Sequence, residues 1–452
     1  MSPTRLQADT LDALRKADAS HHLHPFTHHR QMHEEGTHVI TGGEGCYIFD
    51  GEGRRILDGI AGLWCVNVGY SCPEIADAVE AQMRELPYYC SFFNSTTRPA
   101  IELAEKLASL APDGMGNVFF TNSGSESNET ALKIARGYHV ARGNPNKTKF
   151  IARTFAYHGV GLASTSLTGL ESCLDPFGLP LPGFLHAPTP HPYEDPDPAR
   201  RAMSRADHAE WCLAETEALI EREGPDTIAA LFAEPIQGAG GVIVPPEGYL
   251  AKLRALCKRH DILFVADEVI TAFGRVGAWF ASELWNLEPD LISTAKGLSS
   301  GYLPIGAVFV RDGIAETMHE AGYLAHGFTY SGHPATCAAA LANLGVLERD
   351  GVIPRVADDV GPYFEAKLAE FDGHPAVGET RGFRLLGAIE IVDPHGRVEG
   401  PLGPWCSDRV RAAGVVVRGI RNLIALSPPL IITREEIDEL FAAVRGVLDE
   451  LA

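Results

Sequence analysis

Lys296 has the most unusual setting of any ionisable residue in the sequence. The chain holds nine lysines (Lys16, Lys106, Lys133, Lys147, Lys149, Lys252, Lys258, Lys296 and Lys367), and eight of them lie in polar or amphipathic stretches. Lys296 instead follows the apolar run Leu291–Thr294 and precedes Gly297. A lysine in a dry site has a depressed pKa and can attack a carbonyl to form a Schiff base. The plain alternative is an amine snorkelling at a strand end. No G-x-x-x-x-G-K-[ST] occurs, so a Walker-type phosphate lysine is excluded. Asp267 follows the apolar run Ile262–Ala266. A carboxylate there needs a cationic or hydrogen-bonding partner, such as a protonated ring nitrogen, unless it merely caps a neighbouring loop. Ser123-Gly124-Ser125 offers backbone amides, two hydroxyls and a positive helix end to a phosphate, or else a helix N-cap with a tight turn. Tyr157 offers an aromatic face for ring stacking or for ordinary packing.

The elements around these residues give them a common place. Val118–Phe120, Phe150–Ala152, Ile228–Phe232, Ile262–Ala266, Leu291–Thr294 and Ile305–Val310 are short apolar runs without polar alternation. Such runs suit strands buried on both faces. Helical patterns separate several of them; in Tyr249–His260, Leu250, Leu253, Leu256 and Cys257 share one face. This alternation predicts a mostly parallel, doubly wound sheet, whose ligands bind beyond the carboxyl ends of the strands. The residues after each strand are Thr121–Glu126, Phe155–Gly159, Glu234–Gly241, Asp267–Val269 and Lys296-Gly297. A phosphate cradle, a Schiff-base lysine, a counter-charge for a pyridine nitrogen and an aromatic plate at one sheet edge together describe a pyridoxal phosphate site.

Residues 36–58 predict a small antiparallel meander with a turn at Asp50-Gly51. Leu385–Ile391, Val415–Val417 and Leu423–Leu426 read as strands near the C-terminus. A final helix opens with the capping box Thr433-x-x-Glu436 and presents Ile437, Leu440, Phe441, Val444, Val447 and Leu448 on one face. The expected fold is α/β: a large domain over 71–335, an N-terminal segment over 1–70 and a C-terminal part over 336–452, with the two ends building a small α+β domain. The stretch from Pro176 to Pro198 reads as a surface loop. The 452 residues carry 38 Lys+Arg against 59 Asp+Glu, a net charge of −21. So acidic a chain argues against nucleic acid or an anionic membrane as partner. No apolar run is long enough for a membrane helix, and Met1 to Lys16 lacks the apolar core of a signal peptide. Nine scattered cysteines without a C-x-x-C pair suit a reduced, cytoplasmic chain.

The ordered motifs S-G-S-E, Y-H-G, E-P-I-Q-G-A-G-G, D-E-V, A-K-G and H-G-F-T-Y-S-G-H-P, with a spacing of 29 residues from Asp267 to Lys296, resemble the class III, fold-type I aminotransferases from about residue 20 to the C-terminus. His24-Pro25-Phe26 and Gly62–Tyr70 resemble the amine:pyruvate, or omega-, transaminases within that class. The resemblance implies that Lys296 carries pyridoxal 5'-phosphate and shuttles protons. It also implies that Asp267 binds the pyridine nitrogen, that Val269 and Tyr157 flank the ring, and that Ser123, Gly124 and Ser125 bind phosphate, with Glu234 in the cofactor set. Thr329 would reach the phosphate of a partner subunit, so a homodimer with shared sites, or a tetramer, is expected. Phe26, Trp64, Phe92, Tyr157 and Ala239 would shape the substrate pocket, with Phe328 from the partner. In the ornithine-, acetylornithine- and GABA-type branches an arginine stands three residues before the Pro-Pro pair; here Ala425 stands there, before Pro428-Pro429. Arg418 instead matches the mobile arginine of omega-transaminases and would bind the pyruvate carboxylate bidentately. Arg421 is its rival.

The expected reaction moves an amino group from an amine or omega-amino acid to pyruvate, giving alanine and a ketone or aldehyde. β-Alanine, taurine, polyamines such as putrescine and aromatic amines remain open as donors, and the resemblance implies (S)-selectivity. The alternatives are a decarboxylase or an aminomutase of the glutamate-semialdehyde type on the same scaffold. A non-catalytic cofactor-binding protein is disfavoured because Lys296 and Asp267 are both present. His21, His22, His24, His28, His29 and His33 invite a metal reading, but no cysteine or acidic ligand set stands at supporting spacing, so none is expected.

Overall fold

The computed structural model describes residues 6–452; Met1 to Arg5, the start of the stretch read for a signal peptide, lie outside the described residues. The meander forms as expected, from β1 (Ile40–Glu44), β2 (Tyr47–Asp50) and β3 (Arg55–Asp58), all antiparallel. Buried Asp50 closes its turn by accepting the Glu52 and Arg54 amides at 3.1 and 2.8 Å.

Seven strands make the central sheet: β4 (Asn117–Thr121), β5 (Lys149–Arg153), β6 (Phe184–Ala187), β7 (Ile228–Ala233), β8 (Leu263–Asp267), β9 (Leu291–Thr294) and β10 (Gly306–Val310). Their order is β4-β10-β9-β8-β7-β5-β6. Every residue of β7, β8, β9 and β10 is buried, which explains their unbroken apolar runs. The sheet is parallel from β9 across to β6, while β10 runs antiparallel to both β4 and β9. The short connection from Ala295 to Ile305 cannot carry the crossover that a parallel β10 would need. The expected loop from Pro176 to Pro198 is only partly a loop. Phe184–Ala187 adds β6 at the sheet edge, where neighbouring prolines are tolerated.

A third sheet holds β11 (Val377–Phe383), β12 (Leu386–Ile391), β14 (Arg418–Ile420) and β15 (Leu423–Leu426), antiparallel throughout in the order β11-β12-β15-β14. Between them in the chain, β13 (Val415–Val416) leaves this sheet and pairs in parallel with β3, so the two chain ends share a sheet. The last helix, Arg434–Asp449, has the expected capping box: the Thr433 hydroxyl accepts the Glu436 amide, and the Glu436 carboxylate accepts the Thr433 amide. The six residues of its predicted apolar face are buried.

Candidate active site

A cavity of about 890 Å³ opens beyond the carboxyl ends of the parallel strands, where the topology places a ligand site. Ser123, Gly124 and Ser125 after β4, Tyr157 and His158 after β5, Glu234 after β7, Asp267 and Val269 at β8, and Lys296 after β9 all line it.

Asp267 ends a fully buried strand, and its carboxylate is held from several sides. Oδ2 accepts Asn128 Nδ2 and His158 Nδ1, both at 2.7 Å, and Oδ1 accepts the Val269 amide at 3.1 Å. The bond to the carboxylate places the His158 proton on Nδ1. Asn128 also donates to the His158 carbonyl at 2.8 Å, which locks the pair. His158 Nε2 and Asn128 Oδ1 are buried and have no hydrogen-bond partner among the described residues. His158 stands inside the Y-H-G motif, but neither it nor Asn128 was singled out from sequence. The signal was there for Asn128, a polar residue one turn inside the helix Gly124–Ala141.

Ser123 takes the plainer of its two readings. Its hydroxyl caps that helix by accepting the Glu126 amide at 3.2 Å. Gly124 and Ser125 then open the helix, where backbone amides have no intrahelical acceptor. A Cβ on Gly124 would come within 2.9 and 3.0 Å of the two Val269 methyl carbons, so only glycine lets the helix start lie against Val269. Lys296 sits in a left-handed conformation with φ of 41°. Burial pushes its ammonium below the usual lysine range, against the opposing field of Asp267. Glu234 spends both oxygens on backbone, accepting the Tyr157 amide at 3.0 Å and the Gly238 amide at 2.9 Å; it buckles two loops together. Burial pushes its carboxyl up.

The other wall is aromatic. Phe26, Trp64 and Tyr157 line it together with Leu63 and Ala239. Phe26 meets Tyr157 edge-on with ring centres 6.5 Å apart. Buried Asp58 holds the Trp64 loop, accepting the Ile60 amide at 3.0 Å, the Gly62 amide at 2.6 Å and the Tyr70 hydroxyl at 2.5 Å.

The two arginine candidates separate. Arg418, on β14, lines the cavity and makes no hydrogen bond or ion pair among the described residues. Burial pushes its guanidinium below the usual range. Arg421 lies outside the lining: its Nη2 donates to the Gly240 carbonyl at 3.0 Å and reaches Glu194 at 3.4 Å, and its guanidinium sits over the Phe155 ring. Ala425 faces Arg418 directly across the β14–β15 ladder. Residues opposed in this way project from the same face, so the guanidinium of this chain stands one strand away from where the Ala425 position would put it.

Phe92, Phe328 and Thr329 do not line the cavity of their own chain. The Phe92 ring packs on the segment before Phe328: a Cβ on Gly327 would lie 2.8 Å from its Cζ. Thr329 is exposed, and its carbonyl accepts the Tyr88 hydroxyl at 2.7 Å.

This donor set fits pyridoxal phosphate. The oriented Asp267 carboxylate would hold a protonated ring nitrogen, the helix-start amides and Ser125 would hold a phosphate, and the desolvated Lys296 amine would meet a carbonyl.

Comparison with known proteins agrees. The family model for aminotransferase class-III matches residues 29–448. The putrescine–pyruvate aminotransferase of Pseudomonas aeruginosa is 43% identical over 436 residues, covering 96% of this chain and 95% of that protein. The diaminobutyrate–2-oxoglutarate transaminase of Halomonas elongata is 41% identical, covering 98% and 97%. Among solved structures, a thermostable (S)-enantioselective omega-transaminase from Thermomicrobium roseum superposes with a TM-score of 0.93 at 40% identity, covering 99% of this chain and all of that one. The omega-transaminase from Pseudomonas jessenii in complex with PMP gives 0.92 at 41% identity, covering 97% and 98%. The cavity at the strand ends is therefore that of a pyridoxal-phosphate enzyme, and the chain belongs to the class III aminotransferases.

Proposed function

We propose that the protein is an omega-transaminase that passes an amino group from an amine or omega-amino acid to pyruvate, releasing alanine and a ketone or aldehyde. The observation that carries this reading is Arg418: a desolvated guanidinium, without a partner among the described residues, in a cavity with one wall of Phe26, Trp64 and Tyr157. Such a cavity receives an α-keto carboxylate in one half-reaction and an uncharged apolar amine in the other.

When bound, pyridoxal phosphate supplies the carbonyl that condenses with amines and the ring that spreads negative charge from the adjoining carbon. Lys296 Nζ, readily neutral because it is desolvated, accepts the proton from the donor carbon and returns it. Asp267, fixed by Asn128 and His158, keeps a proton on the ring nitrogen. The Gly124 and Ser125 amides hold the phosphate. Trp64, Phe26 and Tyr157 contact the amine side chain and exclude water. Arg418 binds the carboxylate of pyruvate.

Exposed Thr329, with Phe328 and Phe92 outside their own chain's cavity, supports a homodimer in which these residues complete the partner's site. The central sheet, confined to residues 117–310, supports a large domain over 71–335, and the β3–β13 pairing supports a small domain drawn from both ends. All nine cysteines are free, in keeping with a reducing cytoplasm.

The test is the visible spectrum of the purified holoenzyme. An amine donor bleaches the cofactor band, and pyruvate restores it with one alanine formed per site. A band that bleaches but never returns with pyruvate refutes the pyruvate assignment and moves another acceptor, or a decarboxylase or mutase, ahead.

A further inference from the structure

The sequence reading finds no acidic ligand set beside the histidine-rich N-terminal stretch, but the fold brings Asp18 to it. Asp18 sits in the last turn of the helix Ala8–His21, with His22 four residues on and His24 returning across it. Asp18 Oδ1 is 3.1 Å from His22 Nδ1 and 2.9 Å from His24 Nε2. One ligand atom from each of the three residues falls within 4.8 Å of the others. The two imidazole rings lie 4.0 Å centre to centre. We propose that Asp18, His22 and His24 form a binding site for a divalent transition-metal cation of the zinc class.

The spacing and the supporting groups carry this. Ligand atoms 2.0–2.2 Å from a tetrahedral ion stand about 3.3 Å apart, and the distances of His22 Nδ1 and His24 Nε2 to Asp18 Oδ1, 3.1 and 2.9 Å, lie close to that edge. Two imidazoles and one carboxylate are a borderline set that favours zinc over calcium or magnesium. The Thr37 hydroxyl donates to the other carboxylate oxygen, Oδ2, at 2.5 Å. His24 Nε2 stands 2.9 Å from Oδ2 as well as from Oδ1, and the Thr37 bond fixes the carboxylate plane beside the rings, the usual work of an outer hydrogen bond at a metal site. Asp18 and His24 side chains are 20% exposed while His22 is 61% exposed, so an ion can enter from the His22 side and keep a water as fourth ligand. The remaining histidines do not join: His28 Nδ1 caps the helix His29–Glu35 by accepting the Gln31 amide.

The site is separate from the transaminase centre but not remote from it. Only Pro25 stands between His24 and Phe26, which lines the cavity and meets Tyr157. Phe26 is a non-glycine residue with a left-handed φ of 48°, so an ion on His24 would act two residues from a strained position at the cavity edge.

The test is calorimetric titration of tag-free holoenzyme with Zn²⁺ in a non-chelating buffer, each protein first checked for its cofactor absorbance as evidence of folding. One ion per chain is expected. Asp18→Asn and His24→Ala weaken binding by about tenfold or more, and Thr37→Val, which removes only the orienting hydroxyl, by about tenfold. His33→Gln, in the same stretch but outside the cluster, stays within about twofold of the parent. Absence of binding by the parent, or binding unchanged in both Asp18→Asn and His24→Ala, overturns the site.

Discussion

Replacing Arg418 with leucine separates the two half-reactions. The guanidinium is desolvated and has no internal partner among the described residues, so it gives up no existing bond when a carboxylate arrives. A bidentate pair contributes two charge-assisted hydrogen bonds of about 1.5–3 kcal/mol each. Dehydrating the substrate carboxylate offsets part of that, which leaves about 3–4 kcal/mol. At about 1.36 kcal/mol per decade, kcat/KM for pyruvate falls by about two to three powers of ten. The amine half-reaction with an uncharged donor such as 1-phenylethylamine stays within a few-fold, because nothing on that amine meets Arg418. Removing a desolvated cation without a partner also leaves thermal stability unchanged or raises it. The assay is rapid mixing of each half-reaction alone, followed at the cofactor band, with Arg421→Leu as comparison. Equal losses in both half-reactions refute a carboxylate-specific role. A pyruvate defect confined to Arg421→Leu refutes the assignment of the arginine.

Asp267→Asn keeps the fold but lowers kcat by about 10²–10³-fold, the scale of losing one preorganised charge; single-turnover absorbance measures it. Gly124→Ala drives a Cβ against the Val269 methyls and, at about 1–3 kcal/mol of overpacking, weakens cofactor affinity by about tenfold or more, read by spectroscopic titration of the apoenzyme. Asp58→Asn loses one acceptor oxygen for the Trp64 loop; it costs about 1–3 kcal/mol in urea unfolding and raises KM for the amine more than it lowers kcat. His191 is held at about 3, by burial first and then by Arg381, Arg205, Arg421 and His208. Its neutral form is favoured only in the folded state. Its contribution is therefore full above about pH 6.5 and falls as pH drops toward 3, by at most about 1.4 kcal/mol per pH unit. His191→Phe, able to stack on Tyr193, flattens that part of the acid limb when urea midpoints are compared at pH 7, 5 and 4.

What could be read from sequence follows from how local each signal is. Strands β7, β8 and β9 announce themselves because burial on both faces leaves an unbroken apolar run. Strand β11 does not: Val-Gly-Glu-Thr-Arg-Gly-Phe is polar, and it forms at a sheet edge where most residues are only half-buried. Strand β14 is three residues long and exists by pairing with β15. Lys296 and Asp267 were visible because an ionisable residue directly after a buried strand is a local anomaly. Their helpers were not. His158 and Asn128 reach Asp267 across 109 and 139 residues of chain, and no window of sequence contains such a pair. Asp18 went unused for the opposite reason, since a lone aspartate four residues before a histidine is common on helices.

The aim of the site was the least legible feature, because it is set by backbone strain. Phe26, Trp64 and Lys296 all line the cavity, and all three are non-glycine residues in the left-handed region, with φ of 48°, 64° and 41°. Each costs about 1–3 kcal/mol and persists only where its surroundings over-determine it. For Trp64 the determinant is Asp58, whose carboxylate gathers two amides and a hydroxyl around the turn. For Lys296 it is the pair of asparagines on either side of Gly297. Asn343 Nδ2 donates to the Gly297 and Leu298 carbonyls, both at 2.9 Å, and a Cβ on Gly297 would lie 2.4 Å from Asn67 Nδ2. Asn67 is itself fixed by donating to the Phe273 carbonyl and accepting from Arg275, at 2.9 and 3.1 Å. The turn that sends the Lys296 side chain into the cavity is therefore held by residues from the N-terminal segment, the large sheet's loops and the helix Pro334–Arg349. Asn343→Leu leaves every reacting group in place and removes two of those restraints. It should therefore lower kcat while leaving the pyruvate KM, set at Arg418, close to the parent value. A variant with unchanged kcat would show that the lysine's turn needs no support from that helix.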